Sequence, residues 1–157
     1  MSEANLQRVA IVTGGSAGIG KVICEHLLRD GCEVISLSRR HANFDHPKLH
    51  SVEVDLMDRQ ATRQAATEVA KKFEVNTLVH NAGVIRGALL PDVKLDDLDA
   101  LVELHLGSAI ALTQAVLPTM KAQRFGRIVL MSSRAAVGAV TRTSYSATKA
   151  GMLGMAR

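Results

Sequence analysis

Short apolar runs alternate with longer stretches of helical periodicity from Arg8 to the end of the chain. RVAIVT (8–13) is compact and rich in β-branched residues, and predicts a strand. In GIGKVICEHLLRDG, Ile19, Val22, Ile23, Cys24, His26 and Leu27 fall at near-helical spacing. Gly31 is placed to end that helix in a left-handed cap. EVISLS (33–38) predicts a second strand. HSVEVDL (50–56) predicts a third, alternating His50, Val52 and Val54 against Ser51, Glu53 and Asp55. DRQATRQAATEVAKKF (58–73) predicts a helix with a polar face, and NTLVHNAG (76–83) a fourth strand that turns at Gly83. The stretch 95–123 predicts a helix broken near Gly107, with Pro118 in its second half. GRIVLMSS (126–133) predicts a fifth strand, and TSYSATKAGMLGMAR (143–157) opens a last helix. Strands alternating with helices predict βαβ units and a doubly wound parallel sheet covered on both faces, a Rossmann-like three-layer α/β/α fold. No repeat, low-complexity segment or linker interrupts the chain, so 1–157 is expected to be one domain.

Composition narrows the function classes. A chain of 157 residues with 47% hydrophobic and 22% charged residues can bury a core of ordinary size. Aromatics make up only 3%, with no Trp, which argues against a single-strand nucleic-acid binder that stacks bases. The net charge of +4 is modest and the basic residues are scattered, so neither a nucleic acid nor a membrane surface is an expected partner. The start MSEANLQRVAIVTGG lacks the order of a secretory signal, and no uninterrupted apolar run approaches the roughly 18 residues of a membrane span. Cys24 and Cys32 have no second pair beside them, so both are expected as buried reduced thiols, with no metal site. A cytoplasmic location follows.

TGGSAGIG (13–20) lies directly after a strand and opens a helix. Glycines there let backbone amides approach a phosphate, and the helix N-terminus supplies unpaired N–H groups with a favourable dipole. Thr13, Gly14, Gly18 and Gly20 fill the spacing T-G-x-x-x-G-x-G. Asp55 stands in VDL at the end of the predicted third strand, HNAG (80–83) closes the fourth, GRIVLMSS forms the fifth, and YSATK (145–149) fits Y-x-x-x-K. In that order, these stretches resemble the classical short-chain dehydrogenase/reductase family, with the 3-oxoacyl-thioester reductases as the nearest analogy. Extended, sugar-epimerase-like relatives space their glycines differently.

The resemblance implies an oxidoreductase that interconverts a carbonyl and a secondary alcohol on a small molecule by hydride transfer with a nicotinamide cofactor. Thr13, Gly14, Ser16, Gly18, Ile19 and Gly20 are expected at the phosphates. Asp55 is expected near the adenine, and Asn81, Ala82, Gly83, Tyr145 and Lys149 along the rest of the cofactor. Tyr145 and Lys149 lie four apart on one helical face. A free phenol, with a pKa near 10, is a poor base, but a neighbouring ammonium favours the phenolate. Ser133 is expected to orient the substrate oxygen, with Ser132 the other candidate. Ser133 precedes Tyr145 by 12 residues, one fewer than the family's common spacing. LVELHLGSA puts His105 where the family usually carries an asparagine whose backbone holds a relay water. An ordinary imidazole can also bond water and exchange a proton near neutral pH.

After the second strand, Ser38 stands where an NAD enzyme usually has an acid, and Arg39 and Arg40 follow. Guanidinium groups bind a 2′-phosphate that a carboxylate would repel. NADP(H) is therefore expected, with NAD(H) second. The resemblance also implies a homo-oligomer, dimer or tetramer, in a full-length form. Relatives continue into a sixth strand, a substrate-covering loop and a seventh strand, so the fold is expected to lack the family's last strands. The alternative is a non-catalytic nucleotide-binding or interaction remnant.

Overall fold

The computed structural model describes residues 6–157. Its strands are β1 (Val9–Thr13), β2 (Glu33–Ser38), β3 (Leu49–Glu53), β4 (Thr77–His80) and β5 (Arg127–Leu130). They form one parallel sheet in the order β3-β2-β1-β4-β5. All five residues of β1 are buried, and VAIVT is the continuous apolar run that a strand covered on both faces requires. Chain order reverses on either side of β1, which opens a crevice beyond the carboxyl ends of β1 and β4.

The helices are α1 (Gly18–Arg29), α2 (Arg59–Lys72), α3 (Leu95–Val102), α4 (Ser108–Gln123) and α5 (Thr143–Met155). On one face of the sheet, Ile11, Ile35 and Leu78 pack with Ala65, Val69, Leu112 and Val116 of α2 and α4. On the other, Val12, Val34 and Val79 pack with Cys24 and Leu28 of α1. Gly31 adopts φ +85° after α1, as the sequence predicts. Asp58 caps α2 by accepting from the Gln60 and Ala61 amides at 2.8 and 2.9 Å. Both cysteines are free and buried, and burial pushes the Cys24 thiol up to about 11.

Two expectations change. The third strand ends at Glu53, so Asp55 sits on the loop beyond it. The helix over 95–123 is not broken near Gly107: α3 and α4 join through a π-helical turn, Glu103–Gly107. That joined helix also contains a window of mean hydropathy 1.5, long and apolar enough by length and composition to cross a membrane. Here it packs into the protein instead, burying Leu101, Leu104, Leu112 and Val116.

Candidate active site

The crevice forms a cleft of about 400 Å³. Gly14, Ser16, Gly18 and Ile19 line one side, Ser38, Arg39, Arg40 and Asp55 another, and Asn81, Ala82 and Gly83 a third. Two predicted residues act from behind it. Thr13 is fully buried, and its hydroxyl accepts from the Asn81 and Ala82 amides at 3.0 and 2.9 Å. Asn81 Nδ2 returns a bond to the Thr13 carbonyl at 3.1 Å, which clamps the end of β1 to the turn after β4. Gly20 lies where any Cβ would run into the Gly14 carbonyl. Gly14 and Gly18 take φ of +69° and +54°, the left-handed region that favours glycine.

The start of α1 has no side-chain cap and no acid in its first turn. Its first amides are left for a ligand, and the helix dipole favours an anion. Ser38 is buried, and its hydroxyl accepts from the Ser16 amide at 3.3 Å. Arg39 and Arg40 are exposed at the rim. This donor-rich glycine cradle with two rim guanidinium groups fits a phosphorylated dinucleotide.

The chemical end lies on β5, α5 and the π turn. Lys149 is buried, and its ammonium donates to the Met131 carbonyl at 2.6 Å. Burial lowers its pKa to about 8. The ammonium sits 5.8 Å from the centre of the Tyr145 ring. The two serines are used differently. Ser132 donates to the Lys149 carbonyl at 2.9 Å, whereas Ser133 accepts from the Ala135 amide at 3.2 Å and so keeps its own hydrogen to give. The loop between Ser133 and α5 is compact: a 3₁₀ turn at Arg134–Val137, then Gly138 at φ +101° and Thr141 at φ +60°. Ala88, beyond β4, pairs with this loop, its amide donating to the Thr141 carbonyl at 3.0 Å.

The π turn is held at three buried residues. Arg59 donates from Nε and Nη2 to Oε2 of the buried Glu103, at 2.9 and 2.6 Å. The Leu104 carbonyl accepts from Ser108 Oγ at 2.6 Å and faces His80 Nε2 at 3.1 Å. His105 Nδ1 lies 2.8 Å from Thr148 Oγ, which also lies 3.1 and 3.0 Å from the Ser144 and Tyr145 carbonyls. With the Thr148 hydrogen given to one of those carbonyls, its oxygen accepts from Nδ1–H and His105 Nε2 presents a lone pair. That buried Nε2 has no partner among the described residues. A Cβ on Gly83 would lie 3.1 Å from Nε2 and 3.6 Å from Lys149 Nζ, so Gly83 opens the space both atoms border. The His105 ring also meets Tyr145 edge-on at 5.5 Å.

His105 corrects one expectation. Burial, with the Lys149 charge and His80 adding to it, pushes its pKa down to about 3. It is neutral near pH 7 and does not exchange protons as an ordinary imidazole would; what it offers is an acceptor. Thr148, Glu103 and Arg59 are contributors the sequence reading did not single out. Thr148 carried a signal, lying inside YSATK one residue before the lysine, whereas Arg59 and Glu103 are 44 positions apart with nothing local to join them.

A parallel α/β sheet with a glycine cradle at its switch point and a Tyr–Lys pair at the same end defines a nucleotide-binding domain of the dehydrogenase class. The family model described as short chain dehydrogenase matches residues 8–157, and the chain belongs to that family. It is 32% identical to the 3-oxoacyl-[acyl-carrier-protein] reductase of Thermotoga maritima, over 96% of this chain and 65% of that protein. It is 33% identical to the acetoacetyl-CoA reductase of Cupriavidus necator, over 94% of this chain and 65% of that one. A solved short-chain dehydrogenase from Streptomyces avermitilis superposes with a TM-score of 0.88 at 29% identity, covering 96% of this chain and 58% of that structure. The chain thus spans a little under two thirds of the length of these relatives.

Proposed function

We propose that this chain carries the cofactor site and the proton-transfer residues of an NADP(H)-preferring oxidoreductase that interconverts a small-molecule carbonyl and its secondary alcohol. The supporting observation is the convergence of the glycine cradle, the Ser38–Arg40 rim and the Tyr145–Lys149 pair at one end of the sheet. The α1 amides hold the phosphates, Arg39 with Arg40 engages a 2′-phosphate, and Asp55 borders the adenine. The bound nicotinamide would supply or take up the hydride at the carbonyl carbon. Tyr145 gives or takes the proton on the substrate oxygen, and Ser133 orients that oxygen with its free hydroxyl hydrogen. Lys149 favours the phenolate through its charge. His105 Nε2, beside Lys149, accepts a hydrogen bond on the path by which protons return to the lysine. The names of the two relatives suggest 3-oxoacyl thioesters as the substrate class, and a cytoplasmic homo-oligomer is part of the same reading.

The test is NADPH binding together with NADPH-dependent reduction of acetoacetyl-CoA, by the parent chain and by Tyr145→Phe. The expected result is NADPH binding by both chains, with whatever turnover the parent shows lost in Tyr145→Phe. Binding without turnover by the parent would favour a nucleotide-binding module, and no binding by either would overturn the proposal.

A further inference from the structure

His80 occupies the first position of HNAG, and beyond its place against the Leu104 carbonyl it takes no part in the proposed chemistry. It is fully buried beneath the cleft. Its two ring nitrogens meet partners that leave little freedom. Thr13 Oγ already accepts two backbone hydrogens, from Asn81 and Ala82. The Thr13 hydroxyl therefore directs its own hydrogen to His80 Nδ1, 3.1 Å away. That fixes the ring proton on Nε2, which is the nitrogen facing the Leu104 carbonyl at 3.1 Å, an atom that can only accept. The other tautomer would set a hydroxyl oxygen with its acceptor capacity filled against an N–H, and a carbonyl against a lone pair.

Leu104 precedes His105 in the π turn. In a regular α-helix each carbonyl accepts the amide four residues on, whereas widening to i+5 leaves carbonyls needing other donors. His80 Nε2 and Ser108 Oγ supply them at Leu104. Burial also lowers the His80 pKa to about 4, so the ring stays neutral across the ordinary pH range.

We infer that His80 is a positioning residue: as its Nε2–H tautomer it carries a hydrogen-bond chain from Thr13 to the Leu104 carbonyl, and thereby holds the π turn that places His105 Nε2 beside Lys149. The two buried histidines thus act as one unit, the first buttressing the second. The catalytic meaning of the placement rests on the dehydrogenase reading above; the placement itself does not.

The test uses the whole chain labelled with ¹⁵N-histidine. Long-range ¹H–¹⁵N spectra of the parent are expected to show His80 protonated on Nε2 only, from pH 5 to 8. A His80 protonated on Nδ1, or charged at pH 6, overturns the inference. His80→Gln sets an amide nitrogen near the Nε2 position and is expected to leave the His105 resonances unmoved. His80→Asn is too short to reach Leu104. It is expected to shift those resonances and to move the His105 titration up toward the free-imidazole value of about 6.5. An unmoved His105 in a folded His80→Asn chain overturns the inference. Should that variant not fold, the parent spectra decide, because a His80 protonated on Nδ1 overturns the inference by itself. None of these readouts depends on turnover, so a failed dehydrogenase assay and a failed positioning role remain separate results.

Discussion

Ser132 donates its hydroxyl to the Lys149 carbonyl at 2.9 Å, while the Lys149 ammonium reaches back to the Met131 carbonyl at 2.6 Å. The end of β5 and the first turns of α5 are stitched together in both directions. The stitch carries a buried charge, and that has a measurable price. The Lys149 pKa is lowered to about 8, below the roughly 10.4 of an exposed lysine, so the unfolded chain binds more protons between those values. This contribution is least favourable below pH 8, and stability should rise as the pH climbs through that window. Lys149→Met should remove the rise and add on the order of 2–3 kcal/mol near pH 7, less what the lost bond to Met131 contributed. Urea unfolding of both chains from pH 7 to 10 checks it. The Cys24 thiol, pushed up to about 11, contributes with the opposite sign in both chains and cancels in the difference.

On the proposed reading, Ser38 and the rim arginines set the cofactor preference. Ser38→Asp with Arg39→Leu removes one phosphate partner and adds a repelling charge, and should move the NADPH-to-NADH ratio of dissociation constants by tenfold or more, at about 1.4 kcal/mol per factor of ten. Fluorescence titration with each nucleotide reads the ratio. An unchanged ratio would remove Ser38 and Arg39 from the specificity argument.

The cradle glycines should separate into two kinds. Gly18 has a left-handed φ but open space around its missing side chain. Gly18→Ala should therefore cost about 1 kcal/mol of backbone strain and keep the turn in place. At Gly20 an added Cβ meets the Gly14 carbonyl. Gly20→Ala should displace the turn, lose nucleotide binding and lower the melting temperature further than Gly18→Ala does. Thermal melts with and without NADPH measure both effects.

The outer sheet edge should limit solubility. Ile128 and Val129 of β5 are 41% and 47% exposed, and Leu153 of α5 is 51% exposed. An uncovered apolar edge pairs readily with other chains. Val129→Lys should raise the concentration at which this chain stays monodisperse in light scattering, with little change in its melting temperature. Equal aggregation of both chains would place the liability elsewhere.

Much of the architecture was legible because it is locally encoded. A short, continuous, β-branched VAIVT followed by a glycine turn points to a doubly covered strand, and glycines at 14, 18 and 31 mark the three positive-φ turns near α1. The cofactor cradle and the Tyr–Lys pair were legible for the same reason, since each occupies one short stretch. The π turn was not. Its register depends on Arg59, His80 and Thr148, which come from three other elements, and the local signal of Gly107 suggested a break instead. Gly107 serves a different need: a side chain there would collide with the Glu103 carboxylate. Among the large apolar residues of α4, Leu112 and Val116 belong to the chain's own core, and Ile110, at 45% exposure, points outward.

The Ala88–Thr141 bond joins two loops that leave the sheet from different strands, one after β4 and one on the way to Tyr145. Thr141 holds a left-handed φ that a threonine adopts only at a cost, of roughly 1–2 kcal/mol. The bond therefore ties the two loops, so a displacement of either is passed to the other, and Thr141 lies only two residues before the start of α5, the helix that carries Tyr145. On the proposed reading, a substrate that moved the loop after β4 would also reset the pose of Tyr145.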